Sequence, residues 1–282
     1  VTTIATQGLA FDYPGGTRAV DGVDLSIGDG ERVAIVGQNG SGKSTLVRHL
    51  NGLLRPTAGR VLIDGADIAG ERVARLAAIV GIAFQDPDRQ IFSGRVDTEV
   101  AFGPRNLGRH GAELEAAVNE ALETVGLGEV RGVKPYDLGY SRRKLLGLAS
   151  VLAMRTPIVV LDEPTTGQDG RGVERVRSIV RSIAGEGRTV IAISHDMDFV
   201  AAEFERVIVM RRGRVILDGA PDEAFAEPSW PILATTFLEP PRPAVEGVRA
   251  GVGATPTPHH LAAALVAAGR GGAGRGGAGP GR

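Results

Sequence analysis

Residues 37–45 read GQNGSGKST, directly after ERVAIV and directly before LVRHLNGLL. The spacing is G-x-x-x-x-G-K-[S/T]. It lies between a short apolar run and a segment of helical character, the strand–loop–helix setting that such a loop requires. Glycines let the backbone bend so that several N–H groups face one anion, and the start of a helix adds the positive end of its dipole. Gly37, Asn39, Gly40, Ser41, Gly42, Lys43, Ser44 and Thr45 are the expected cradle for nucleotide phosphates. Lys43 is placed to reach the β- and γ-phosphates, and the Ser44 hydroxyl to ligate Mg²⁺. The competing reading, a Gly-rich turn with an ordinary surface lysine, fares badly in a chain with only three lysines.

A second stretch supplies what a phosphate loop lacks. Residues 159–167 read VVLDEPTTG, an apolar run ending in two carboxylates, as a buried strand would deliver acids to the carboxyl edge of a sheet. Asp162 suits the Mg²⁺ shell and Glu163 suits a base that orients water. An acidic strand end alone is weak evidence; paired with the glycine-rich loop it is strong.

The 282 residues suffice for one large α/β domain or two small ones. The hydrophobic share of 43% against 4% aromatics implies an aliphatic core. A net charge of −1 argues against a general polyanion binder, so no nucleic-acid partner is expected. Cysteine is absent, which excludes disulfides and thiolate metal sites. No apolar run is long enough to span a bilayer and the N-terminus shows no signal pattern. The expected chain is soluble and cytoplasmic, with any membrane role arriving through a partner.

Outward from the loop, IATQG, VDLSI and ERVAIVG read as short strands joined by Gly and Asp turns, and RVLIDG as another. AAIVGIAFQ is a buried-strand pattern ending at Gln85. Glu113, Leu114, Ala117, Val118, Ala121, Leu122 and Val125 give a helical period. The last third alternates strand IVVLDE, helix RVRSIVRSIAG, strand TVIAISH, a short helix and the hairpin ERVIVMRRGRVILDG. Alternation of this kind predicts an α/β fold with a mostly parallel sheet, here with an added antiparallel N-terminal piece. The expected boundaries are an ATPase domain over 1–235 containing a helical subdomain over about 95–155, a short extension over 236–269 with one helix at LAAALVAAG, and a disordered Gly/Arg tail over 270–282. His259 and His260 are read as a polar flank to that helix, since neighbouring residues point apart and a closed metal site needs about four ligands.

These motifs together resemble the ATP-binding cassette ATPases, and the likeness runs from about residue 3 to residue 225. It implies a P-loop NTPase core with the helical subdomain inserted after Gln85, and ATP and Mg²⁺ as cofactors. Tyr13, in FDYPGG, resembles the aromatic that stacks on adenine. Gln85 matches the glutamine that joins the γ-phosphate and Mg²⁺ to the transporter subunit. Asp169, in TTGQD, matches the aspartate of the loop after the acidic strand, and His195, in AISHD, the histidine that contacts the γ-phosphate. FQDPDRQIF followed by DTEVAFGPRNLG is similar to the ATPases of energy-coupling factor transporters, which import vitamins and transition-metal ions. There the segment after the glutamine, here Asp86–Phe92, couples to the membrane subunit, and Gln90 is the position carried over. LEPPRP with a following helix resembles the extension of the same group. The resemblance implies a peripheral protein on the cytoplasmic face of the membrane, held by an integral membrane subunit.

One stretch departs from the family. Residues 138–144 read LGYSRRK where the family has Leu-Ser-Gly-Gly-Gln and then basic residues, the signature that points at ATP on a second ATPase subunit. Gly139 removes a hydroxyl, Tyr140 puts a ring where backbone must approach phosphate, Ser141 stands at the second glycine and Arg142 at the glutamine. Ser141 is expected to cap the helix that begins here. The signature is either impaired or rewired through Ser141 and Arg142; the impaired reading predicts a heterodimer with an orthodox second ATPase. Two further readings stand beside a transporter ATPase: a soluble cassette ATPase of another class, and a nucleotide-binding partner with little hydrolysis of its own.

Overall fold

The computed structural model describes residues 2–273, with only the backbone of 270–273. The chain opens with β1 (Ile4–Asp12), β2 (Arg18–Ile27) and β3 (Arg32–Val36), then α1 (Lys43–Leu50), β4 (Ala58–Ile63), β5 (Ala66–Asp67), α2 (Val73–Leu76) and β6 (Val80–Ala83). Three helices follow, α3 (Val96–Asn106), α4 (Gly111–Val125) and α5 (Tyr140–Leu152). The chain then alternates through β7 (Ile158–Asp162), α6 (Gly170–Gly185), β8 (Thr189–Ile193), α7 (Met197–Glu203), β9 (Arg206–Arg211) and β10 (Arg214–Gly219). It ends with α8 (Pro221–Ala224), α9 (Trp230–Ala234), α10 (Arg242–Arg249) and α11 (Pro258–Ala273).

Two sheets result. β2-β1-β4-β5 form an antiparallel sheet in which Ile4 pairs Ile27 on one side and Ile63 on the other. The second sheet runs β10-β9-β3-β8-β7-β6 and is parallel apart from the edge hairpin β9–β10. This is the expected α/β architecture, with the helices α3–α5 between β6 and β7 and an antiparallel N-terminal sheet.

The central strands are apolar throughout because both of their faces are covered. Alternate residues divide between two cores. Val159 and Leu161 of β7 join Ala34, Val36, Val190 and Ala192 in the core under α3–α6. Ile158 and Val160 join Val33, Ile35, Ile191 and Ile193 in the core shared with α1 and the antiparallel sheet. Each side chain so buried contributes about 1.5–3 kcal/mol.

Two local expectations need correction. The segment after Pro240 holds two helices and not one, because α10 packs Pro243, Ala244 and Gly247 inward and so gives α11 a surface to lie on. Helix α11 also carries four residues of the stretch expected to be disordered, whose remainder, 274–282, lies outside the described residues. His259 and His260 sit in the first turn of α11, and no metal-holding group of three His, Asp or Glu occurs among the described residues. No described helix is long and apolar enough to cross a membrane.

Candidate active site

Four loops meet at the carboxyl edge of the parallel sheet, where such folds bind ligands. They follow β3, β6, β7 and β8, and each carries one part of the site. The loop after β3 turns straight into α1. Gly37 has φ +147° and Gly42 φ +103°, and a Cβ on either would stand 2.2 Å from a backbone carbonyl, that of Met210 or Ala19. Only glycine fits there, so the bend that turns the N–H groups inward is dictated by the sequence. Lys43 folds over its own loop: its Nζ donates to the carbonyls of Gly37 at 2.7 Å and Gln38 at 3.0 Å. Burial pulls the Lys43 ammonium below its ordinary pKa, against the opposing pull of Glu163 and Asp162. The Ser41 hydroxyl is buried without a partner in the same loop.

Asp162 ends β7 on the side that faces α1, where the Ser44 hydroxyl donates to its Oδ1 at 3.4 Å. Burial pushes the Asp162 carboxyl above its usual range. The pair fits Mg²⁺: hard oxygen donors, few in number, beside a phosphate loop, as suits a cation that keeps waters and binds chiefly through phosphates. Gln85, exposed in the loop two residues after β6, stands at the rim of the cleft. Asn39, Gly40, Ser44, Gln85, Asp162 and Glu163 line one open cleft of about 390 Å³.

Glu163 is the next residue and is strained. Its φ is +53°, in the left-handed region that side chains avoid, and such strain concentrates at functional sites. Its carboxylate is buried, with Oε2 2.8 Å from His195 Nδ1 and accepting from the Thr166 hydroxyl at 3.3 Å. His195 follows β8 and is 60% exposed, so it faces the cleft from the open side. Tyr13 lies beside α1, its hydroxyl 3.1 Å from that of Thr45 and its ring edge-on to Phe11 at 4.9 Å.

The start of α5 behaves differently from the sequence expectation. Gly139 is the N-cap and no side chain caps the helix. Ser141 is two residues too far along to cap; its hydroxyl donates to Gln168 Oε1 at 2.6 Å, while Gln168 Nε2 donates back to the Ser141 carbonyl at 3.1 Å. The Tyr140 ring lies over Gly167, within 2.9 Å of where a Cβ would be. Arg143 donates to the Leu138 carbonyl at 2.8 Å and pairs with Asp88 at 3.0 Å. Arg142 alone of the first-turn cations is exposed. Asp169 caps α6, accepting from Gly172 N at 2.7 Å. Gln90 points inward: it accepts from Phe84 N at 3.1 Å and donates to the Gly147 carbonyl at 2.7 Å, tying the loop after β6 to α5.

Lys144 is the residue that sequence reasoning missed. It is buried, and Nζ donates to the carbonyls of Thr166, at 2.9 Å, and Glu163. Burial pushes its ammonium down to about 8. The scarcity of lysine was the available signal, since two of the three lysines flank the acid pair.

Comparison with known proteins agrees with this geometry. The ABC transporter family profile matches residues 20–166. The chain is 42% identical over 226 residues to the energy-coupling factor transporter ATP-binding protein EcfA of Methanothermobacter thermautotrophicus, across 79% of this chain and 73% of the relative. It is 41% identical over 241 residues to a putative ABC transporter ATP-binding protein of Methanosarcina acetivorans, where it spans 86% of its own length but 39% of the longer relative. The structure of cbiO1 from Clostridium perfringens, part of the ABC transporter complex cbiONQ, superposes with a TM-score of 0.72 at 37% identity, over 82% of this chain and 93% of the other.

Proposed function

The chain belongs to the ABC transporter family as an ATP-binding ATPase subunit, and from this we propose that it powers an energy-coupling factor importer of a vitamin or transition-metal ion as one half of a heterodimeric ATPase. The observation that carries the reading is the convergence of Lys43, Ser44, Gln85, Asp162, Glu163 and His195 around one cleft at the ends of four strands. Tyr13 offers its ring to adenine. Lys43 exchanges two loop carbonyls for phosphate oxygens. Ser44, Asp162 and Gln85 would hold Mg²⁺, which would neutralise phosphate charge. Glu163 orients a water and takes its proton as the water oxygen bonds to the γ-phosphorus and the β–γ bridging bond breaks, leaving ADP and phosphate. His195 keeps the Glu163 carboxylate aimed and meets the γ-phosphate.

The seat for the membrane partner is the surface beside the segment 86–92. Phe92 and Phe102 stand edge-to-face at 4.7 Å, both exposed, over an apolar groove of about 210 Å³ that Leu53 and Val73 also line. On this reading the chain sits at the cytoplasmic face, held by an integral subunit through this groove. The start of α5 supports the second ATPase: Ser141 is engaged within its own chain and a ring stands at Tyr140, and on this reading a different protein brings the orthodox signature that completes the site at Lys43 and Glu163.

Mild-detergent purification from the native host tests this. The chain is expected with one integral membrane protein and a second ATPase of different sequence, and vesicles holding the complex should accumulate substrate only with ATP. Recovery of the chain with no membrane protein would turn the reading towards a soluble cassette ATPase.

A further inference from the structure

We infer that Lys144 is a positioning residue for hydrolysis: its ammonium ties the first turns of α5 to the turn after the acidic strand, and so fixes the backbone that carries Glu163. The inference rests on Glu163 being the hydrolytic base.

The geometry is specific. The Glu163 carbonyl accepts from Lys144 Nζ and from Thr166 N at 3.3 Å, and the Thr166 carbonyl accepts from the same Nζ at 2.9 Å. The ammonium therefore bridges both ends of the tight turn that holds Glu163 at φ +53°. A strained conformation persists only where its surroundings over-determine it, and Lys144 is the buried charged group that does so here. Two lesser clasps lie just after the same turn, the Tyr140 ring on Gly167 and the reciprocal Ser141–Gln168 pair. The residue type also matters. Only three of the chain's 32 Lys and Arg residues are lysine, and two of them are buried here. A compact ammonium on a flexible stem can enter a single turn and meet two carbonyls; a planar guanidinium fork is too wide for that.

The link has a direction. On the proposed function, the start of α5 faces the second ATPase and the Glu163 turn serves the chain's own ATP. Lys144 is thus a rigid connection between the partner's nucleotide and the base acting on this one, sensitive to small displacements because a shift of about 1 Å in a catalytic group costs about a hundredfold in rate.

The test uses the assembled transporter, with ATP affinity and steady-state hydrolysis measured separately. Lys144→Met should lower kcat about tenfold or more while ATP affinity stays within about twofold. Lys144→Gln, which keeps an N–H donor on a side chain one atom shorter, should recover part of the loss. An unchanged kcat in Lys144→Met overturns the inference, as does a loss matched by falling affinity and not rescued by Gln, which marks a merely structural role. Should Lys144→Met fail to fold, Lys144→Arg decides: reduced kcat with retained affinity supports positioning, and the wild-type rate overturns it. Glu163→Gln in the same complex separates this from the proposed function. Hydrolysis surviving Glu163→Gln removes the base and the inference with it; hydrolysis lost there but intact in Lys144→Met overturns the inference alone.

Discussion

Residues 37–45 and residues 138–144 are both turns that open a helix, and both resemble turns that meet ATP phosphate. In the first, glycines occupy positions where a Cβ would strike a carbonyl, the loop curls its N–H groups inward, and the lysine is held only by two carbonyls of its own loop. In the second, Tyr140 rests on Gly167, Ser141 and Gln168 are bonded to one another, Lys144 is buried in the turn below, and only Arg142 is exposed. A helix N-terminus offers an anion site only if its donors are left available. One of these two leaves them so. The other leaves its first backbone N–H groups uncapped but has turned the side-chain donors of Ser141, Arg143 and Lys144 onto its own chain.

The harshest test of that contrast is Glu163→Gln in the assembled complex. It should lower phosphate release by at least about a hundredfold while ATP still binds, because the amide keeps the shape and loses the base. The matching change in the second ATPase should cost far less, since its ATP faces the signature described here. Equal losses would erase the contrast. Lys43→Ala comes next. Hydrogen bonds to charged groups contribute about 1.5–3 kcal/mol, so ATP affinity by calorimetry should fall about ten- to a hundredfold. Undiminished affinity would dislodge the phosphate loop from its role.

Restoring Ser at 139, Gly at 140 and 141 and Gln at 142 should raise ATP turnover of the isolated chain about tenfold or more, as one well-aimed donor contributes about 2.7–4 kcal/mol where this has been measured. If the unaltered isolated chain already matches the complex, Arg142 and its neighbours are a working signature and the two turns are equals. The mildest expected effect belongs to Gln90→Ala. It removes two hydrogen bonds that join the loop after β6 to α5, and should lower the melting temperature by about 2–4 °C with ATP affinity unchanged. A fall in affinity would tie the second turn to the first more closely than their separate bonding suggests.

What could be read from the sequence followed local rules. The glycine pattern of 37–45 and the apolar run before Asp162 each state their own conformation, and the alternation of strand and helix gave the parallel sheet. The edge hairpin was legible from its Arg-Gly turn. The rest depended on which distant residues meet. That β3 lies between β8 and β9 has no periodicity to announce it. Gln90 was carried over as the coupling position, and nothing local announced that its side chain donates to the carbonyl of Gly147, 57 residues on. Ser141 looked like a cap because serine usually is one, but α5 begins two residues earlier than that would need, and its hydroxyl goes to Gln168. Lys144 sat among three basic residues, and nothing in their order said which would be buried.

The alternation of β7 between two cores also limits how this gene can change length. Ile158 and Val160 face the α1 side, and Asp162, next in that series, meets Ser44 because it shares their parity. Deleting one codon anywhere among 158–161 would reverse the parity: Glu163 would arrive at the α1 face and Pro164 at the place of the base, while both cores received each other's side chains. Substitutions along this strand can be graded by size. Single-residue insertions and deletions cannot, and a screen of one-codon indels across 155–165 should find β7 the segment least able to accept them.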